Sequence, residues 1–200
     1  DYHDWVYTEG IDQKLASIQN GDEVTEITYH GNTCISGIGL HDSSAALIPY
    51  LKHCTQPFVL ISTGTWCITL NPFNHNRLTG YELQNDCLAY ITYEGLPVKA
   101  SRLFAGYEHE QQVQHLAKHF SKPVDYYKQV RYNSDLIKNA DDSSKHTGTL
   151  LIMDSFATYE EAYHQLMKGI IDRQIISTNL VLKNTEVKQI YVDGGFAKNP

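Results

Sequence analysis

The chain lacks most of the signatures that would assign a function class at a glance. Its 200 residues hold four cysteines, Cys34, Cys54, Cys67 and Cys87, at spacings of 20, 13 and 20. No CxxC pair occurs, which excludes a zinc knuckle or ribbon. Four thiols at this length make no disulfide scaffold, and most of them fall in apolar stretches as small core residues. No Asn-x-Ser/Thr sequon is present either. Both features lean towards a reducing cytoplasm. There is no GxxxxGK[ST] phosphate loop and no Gly-x-Ser-x-Gly elbow, so neither a P-loop nor an α/β-hydrolase nucleophile is written here. The apolar run near Phe58–Ser62 is far too short to cross a membrane. Basic residues are also scarce. Lys and Arg number 16 against 23 Asp and Glu, a net charge of −7, and the densest basic stretch, Lys183–Lys188, is interrupted by Glu186. Nucleic-acid binding, which needs a basic face, is disfavoured.

What is present is a foldable composition. Hydrophobic residues make up 42% and the 14 tyrosines are spread along the chain, so general disorder is excluded. The length permits one large domain or two small ones, with a core that needs no staples. The chain opens on Asp-Tyr-His-Asp-Trp and stops at Asn199-Pro200, a few residues after a glycine pair. These ends read as cuts in something longer.

The patterning alternates strands with helices. Val24–Ser36 predicts one or two strands around a turn at Gly31-Asn32. Ser43–His53 predicts a helix containing Pro49, which would shorten or kink it. Phe58–Ser62 and Trp66–Leu70 predict a hairpin across Thr63-Gly64-Thr65. Tyr81–Tyr93 reads as one or two strands, Ser101–Phe120 as a helix, and 121–149 as polar loop with Asp141–Ser144 exposed. Thr158 and Glu161 fit a capping box ahead of a long helix. Its buried stripe is expected at Ala162, Tyr163, Leu166, Met167, Ile170, Ile171 and Ile175. Val187–Val192 is a final strand, leading through Gly194-Gly195 into another helix. The sum is an α/β layered domain.

Three segments look unlike ordinary core. Gly37-x-Gly39-x-x-Asp42 fails the dinucleotide fingerprint, because an aspartate stands where the third glycine belongs. A carboxylate at a strand end before a helix remains. Asp42 suits an ordinary N-cap, and it equally suits a proton acceptor kept ionised by the helix dipole. Ser62-Thr63-Gly64-Thr65 is a good turn, and it can also offer hydroxyls and N–H groups to a phosphate. Asp193-Gly194-Gly195 is a tight turn whose lack of side chains leaves a flat floor for a base or ribose. His115 and His119 lie four apart on a helical stretch, yet Leu116 stands where a zincin needs glutamate, which favours a solvated face.

Taken in order, the three segments resemble the C-terminal half of the FGGY carbohydrate kinases of the actin-like ATPase superfamily, with the rhamnulokinase and fuculokinase branch nearest. Gly39–Ala46 is similar to the catalytic segment, Ile61–Trp66 to the second phosphate motif, and Tyr191–Asn199 to the adenosine motif. A family-like stretch at Leu96–Phe104 is assigned to packing. The resemblance implies a ribonuclease H-like α/β domain, a mixed sheet flanked by helices and incomplete at its C-terminus. Residues 1–23 would lead in from an absent N-terminal domain. It implies Asp42 as the general base and His41 as a sugar contact. Thr63, Gly64 and Thr65 would hold ATP phosphates, with Gly194, Gly195 and Asn199 at the adenosine. ATP and Mg²⁺ are implied, with no protein metal ligands in this half, and a homo-oligomer is compatible. The activity implied is phosphorylation of a deoxy-ketose, with the isolated piece inactive. Two other readings stay open: a non-catalytic nucleotide sensor or assembly ATPase of the same superfamily, and a structural α/β domain with three coincidental turns.

Overall fold

The computed structural model describes residues 3–17, 19–138, 146–147 and 150–198. A short helix, α1 (Asp4–Thr8), precedes a two-stranded hairpin, β1 (Val24–Tyr29) and β2 (Asn32–Gly37). The hairpin turns on His30 and Gly31, both at positive φ (47° and 78°), and it stays apart from the main sheet. α2 (Asp42–His53) follows and runs through Pro49 to its full length.

The main sheet has five strands in the order β5-β6-β4-β3-β9: β3 (Phe58–Thr63), β4 (Cys67–Asn71), β5 (Cys87–Ile91), β6 (Pro97–Leu103) and β9 (Gln189–Gly194). β3, β4, β6 and β5 pair antiparallel in that succession, and β9 runs parallel to β3 at the edge. The predicted hairpin is therefore β3–β4. The predicted strands over Tyr81–Tyr93 begin too early, because Gly80–Gln84 is a helix, α3. The side chain of Thr79 accepts from the Glu82 amide at 3.2 Å, and Glu82 returns the bond to the Thr79 amide at 2.7 Å. This local cap outweighs the strand propensity around it.

The helix expected over 101–120 also starts late. Ser101 and Arg102 lie in register with Thr69 and Ile68, so β6 continues to Leu103 and α4 covers Ala105–His119. Beyond it come a 3-10 turn at Tyr126–Gln129, α5 (Ser134–Lys138), and a small pair of strands, β7 (His146–Thr147) and β8 (Leu150–Leu151). Asp141–Ser144 lie outside the described residues. The long helix is α6 (Tyr159–Leu182), with Thr158 accepting from the Glu161 amide at 3.2 Å.

Alternation along the strands divides the core between two faces. On one, wholly buried Leu47 of α2 packs with Phe58, Leu60, Leu70, Val98 and Ala100. On the other, α4 and α6 cover Cys67 through Ala105, Val113, Leu116, Ala162, Leu166 and Ile170. The second half of α6 departs from expectation. Ile171 and Ile175 are 50% and 54% exposed, whereas Gln174, Ser177 and Thr178 are buried. Thr69 and Thr178 share a hydrogen bond at 3.1 Å, the Gln174 amide donates to both, and the Ser101 hydroxyl donates to the Ser177 carbonyl at 2.8 Å. The sheet meets this helix through a polar seam. Among the thiols, Cys67 and Cys87 are buried, Cys54 is partly covered and Cys34 is exposed. Burial pushes both core thiols up to about 11.

Candidate functional site

Thr63 and Gly194 end β3 and β9 in register with each other, and Cys67 opposite Leu103 brings the start of β4 and the end of β6 to the same edge. All the turns predicted to carry chemistry emerge there, at the carboxyl ends of the parallel pair, where ligands of open α/β sheets bind.

The two glycine-bearing turns are clamped together. The Thr63 hydroxyl donates to the Asp193 carbonyl and accepts from the Phe196 amide at 3.0 Å, and the Gly195 amide donates to the Thr63 carbonyl at 2.8 Å. Gly194 sits at φ +92°, and a Cβ there would lie 2.0 Å from the Thr63 carbonyl oxygen. Only glycine fits both demands. The predicted helix after the pair is a 3-10 turn, Phe196–Lys198. Asn199 lies outside the described residues. Of the predicted phosphate trio, Thr63 thus has its hydroxyl engaged in structure. The hydroxyls of Ser62 and Thr65 face a cleft and make no hydrogen bond among the described residues.

That cleft, of about 490 Å³, is walled by His41, Asp42 and Ser43 on one side and by Ser62–Trp66 on the other. Asp42 is the first residue of α2, and His41 is its N-cap, so the aspartate does not cap the helix as expected. The His41 Nδ1 lies 3.2 Å from the Ser43 amide and 2.9 Å from an Asp42 oxygen, which also accepts from the Ser43 amide at 2.6 Å. The imidazole tautomer decides which contact is a hydrogen bond. The Asp42 side chain is 93% exposed to the cleft and solvent.

Arg102 also lines this cleft. Its guanidinium lies 4.9 Å from the Trp66 ring centroid and donates to Asp86 at 2.6 Å. Trp66, Phe104 and Tyr107 stack in succession, with centroids 4.3 Å and 4.6 Å apart. Sequence reasoning missed Arg102, which stands in a stretch assigned to packing, and nothing local distinguishes it.

A second cavity, of about 510 Å³, adjoins the first across Gly64. Gly64, Gly106 and Gly195 give it a floor without side chains, and His109, Tyr127, Tyr163 and Phe196 give it aromatic walls. The His109 Nε2 lies 3.2 Å from the Tyr163 hydroxyl, and its ring meets Tyr127 and Phe196 edge-on at 5.0 and 5.3 Å. Burial pulls the His109 pKa down to about 4, so the ring is neutral at neutral pH. Gly106 permits the close approach of α4: a Cβ there would lie 1.8 Å from the Gly64 carbonyl oxygen. A Cβ on Gly64 or Gly195 would instead meet protein no nearer than 3.9 or 3.8 Å. It would stand in the cavity, in space suited to a flat ligand. His115 and His119 join no metal-ligating cluster among the described residues; His119 Nδ1 instead lies 3.9 Å from Asp154.

This arrangement of sheet, helices and turn-lined cleft is the actin-like ATPase fold as sugar kinases build it. The chain aligns with a carbohydrate kinase from Novosphingobium aromaticivorans at a TM-score of 0.68 and 18% identity, over 98% of this chain and 47% of that one. A xylulose kinase from Bifidobacterium adolescentis aligns at 0.52 and 14%, over 84% of this chain and 34% of the other. The chain thus spans about half or less of these kinases. Residues 55–200 match the family described as carbohydrate kinase FGGY, C-terminal domain, and the chain belongs to that family. His41 and Asp42 precede the matched segment. No curated protein matches the chain. Among the described residues, no helix is long and apolar enough to cross a membrane.

Proposed function

We propose that this chain forms most of the C-terminal, nucleotide-binding domain of an ATP-dependent sugar kinase, with residues 1–23 as the lead-in from an N-terminal domain. The observation that carries the reading is the shared wall at Gly64. One side holds a carboxylate, an imidazole and unbonded hydroxyls, and the other is a glycine-floored aromatic pocket. A nucleotide spanning that wall places its base among His109, Tyr127, Tyr163 and Phe196, its ribose over Gly194 and Gly195, and its terminal phosphates near Gly64 and Thr65; Asn199 is kept as an adenosine contact from the resemblance alone. Thr63 contributes by holding the two turns together. Arg102 supplies positive charge to the phosphates, and Asp193 keeps the β9 turn in place through its own Gly194 amide at 2.7 Å.

The sugar hydroxyl then lies against His41 and Asp42. Phosphoryl transfer has a loose transition state, so the base mainly orients the nucleophile and takes its proton as transfer proceeds. Asp42 fills that role: it stands at the start of a helix and is open to the cleft. Mg²⁺, held by the phosphates, would neutralise their charge. Among the described residues no cluster of three or more His, Cys, Asp or Glu could hold a metal alone. The substrate class we favour is a deoxy-ketose such as rhamnulose or fuculose, from the resemblance of Gly39–Ala46. The location we expect is the cytoplasm.

The test is ATP consumption by the full-length protein across a ketose panel, with Asp42→Asn alongside. Activity on one ketose, falling about 10²- to 10⁴-fold in the variant with an unchanged melting temperature, is expected. An active enzyme that Asp42→Asn leaves unimpaired removes the assigned base. ATP binding with no turnover and no response to any sugar favours a nucleotide sensor instead.

A further inference from the structure

A third cavity lies at the opposite end of the sheet from the cleft, and its charge opposes that of the whole chain. It has a volume of about 640 Å³, within the ~300–1,000 Å³ range of small-molecule sites, and lies between the loop before α3, the start of β6 and the end of α6. Arg77, Lys99 and Lys183 line it against a single carboxylate, Glu82, in a protein of net charge −7.

That carboxylate is fully used. One Glu82 oxygen accepts from the Lys99 ammonium at 2.8 Å, and the other from the Thr79 amide and hydroxyl at 2.7 and 3.0 Å. Burial pushes the Glu82 carboxyl up, but these bonds outweigh it and hold it below its ordinary range. Lys99 is 4% exposed and has three N–H groups, one on Glu82 and another directed at the Arg77 carbonyl at 3.5 Å. The guanidinium of Arg77 and the ammonium of Lys183 have no hydrogen-bond or ion-pair partner among the described residues, and neither do the side-chain amides of Asn76 and Asn179 on the same wall.

The end of a helix normally presents carbonyls that repel an anion. Here two of them are covered. Val181 accepts from Asn71 and Asn74 at 2.8 Å each, and Leu182 accepts from Thr185 at 2.6 Å. A buried ion pair is also weak support for stability, since apolar residues of like volume often serve as well. What the pair does here is set an ammonium in the lining of a cavity that also carries a guanidinium and a second ammonium.

We propose that this cavity binds a small phosphate monoester, distinct from the nucleotide and sugar cleft. An Arg fork and two ammonium groups suit a dianionic phosphate, and the asparagine amides suit the hydroxyls of its carbon skeleton. Lys99 and Arg102 are three residues apart on β6, about 10 Å at ~3.3 Å per residue, so the site and the cleft share a strand.

The test is calorimetric titration of the full-length protein with glycerol 3-phosphate and, separately, inorganic phosphate. The variants are Arg77→Gln/Lys183→Gln and, as the cleft control, Thr65→Ala. Both substituted cations are exposed, so the fold is unaffected, and Lys99 is left in place because its removal would strand Glu82. Saturable binding that weakens at least tenfold in the double variant, persists in Thr65→Ala and falls with added salt is expected. No binding, or binding that survives the double variant or is lost only in Thr65→Ala, overturns the site. Because Thr65 reports on the cleft alone, failure here is distinguishable from failure of the kinase reading.

Discussion

Gly106 and Gly64 lie on two sides of one backbone contact, and their substitutions should part company. Gly106→Ala forces a methyl against the Gly64 carbonyl oxygen at 1.8 Å, with no flexible side chain able to yield. It should cost about 1–3 kcal/mol and move the turn, which a urea denaturation curve reads. Gly64→Ala meets almost nothing of the protein. Its melting temperature should hold while ATP affinity drops at least about tenfold, near 1.4 kcal/mol. Equal destabilisation by both would remove the reading of Gly64 as the wall between the two cavities. His109 makes a different statement. Its folded pKa of about 4 lies below the ordinary value of 6.5, so the folded state binds fewer protons. The resulting stability is fully present above about pH 6.5 and fades as pH falls through about 4, up to about 3 kcal/mol. Urea midpoints compared at pH 7.5 and 4.5 should show the loss, and His109→Gln should flatten it. Glu82 and Glu160, both held below their ordinary range, add their own losses mainly below about pH 4.5, outside that window. At this scale the sequence was readable where the residues of a turn are contiguous: the segments at Asp42, Thr63–Thr65 and Gly194-Gly195 do meet at one end of the sheet. It was not readable for Arg102, His109, Tyr127 and Tyr163, which come from separate strands and helices and meet only once β6, α4 and α6 are packed.

Among the elements, α6 teaches most, because its apolar period pointed to the wrong face. Ile171, Ile175 and Ile176 are half or more exposed, while Gln174, Ser177, Thr178 and Val181 meet the sheet. A hydrophobic stripe was a sound expectation for the first three turns, where Ala162, Tyr163, Leu166 and Ile170 are buried. It failed further on because Thr69, Asn71 and Ser101 place polar side chains on the facing strands, and those groups require polar partners. Removing one partner should therefore cost more than removing an isoleucine. Thr178→Val takes away a bond to Thr69 and one to Gln174 at a buried site. About 1–3 kcal/mol should be lost. Ile175→Ser should stay within about 0.5 kcal/mol in the 200-residue chain. Chemical denaturation of the two variants side by side checks the order, and a larger loss for Ile175→Ser would mean that the isoleucine row is packed. At α3 the reason is simpler: Thr79 and Glu82 stand at the T-x-x-E spacing of a cap, and that local cap ends the strand propensity of Leu88–Ile91 before it reaches Tyr81.

For the molecule as a whole, the α/β class and the order of the motifs could be read from the chain, because each motif marks the end of a strand. The strand order could not. It depends on β9 returning beside β3 from 130 residues away, Thr63 to Asp193, a pairing with no local signature. That pairing is what builds the pocket proposed here for the nucleotide. Its glycine floor comes from the turns after β3 and β9 and from the start of α4, and its aromatic walls from α4, the 3-10 turn before α5, α6 and the turn after β9. Both sides therefore lie within residues 1–200. The cleft proposed for the sugar differs, since its Asp42 side chain is 93% exposed and, among the described residues, the rest of its lining beyond His41 and Ser43 is the Ser62–Trp66 turn, Ile68, Tyr90 and Arg102. The two halves of the proposed reaction should separate in the purified 200-residue chain. ADP should bind, and Gly64→Ala should weaken it, because the glycine floor and the aromatic walls of the proposed base pocket both come from these residues. Sugar should neither bind measurably nor change the ADP affinity, and no phosphoryl transfer should occur, because one wall of the cleft cannot orient a hydroxyl for attack. Titration calorimetry with ADP, with and without a ketose, and a coupled assay for ATP turnover test both halves. Turnover by residues 1–200 would show that the cleft is complete as it stands. Absence of ADP binding in the folded chain would move the nucleotide site away from the Gly64 wall.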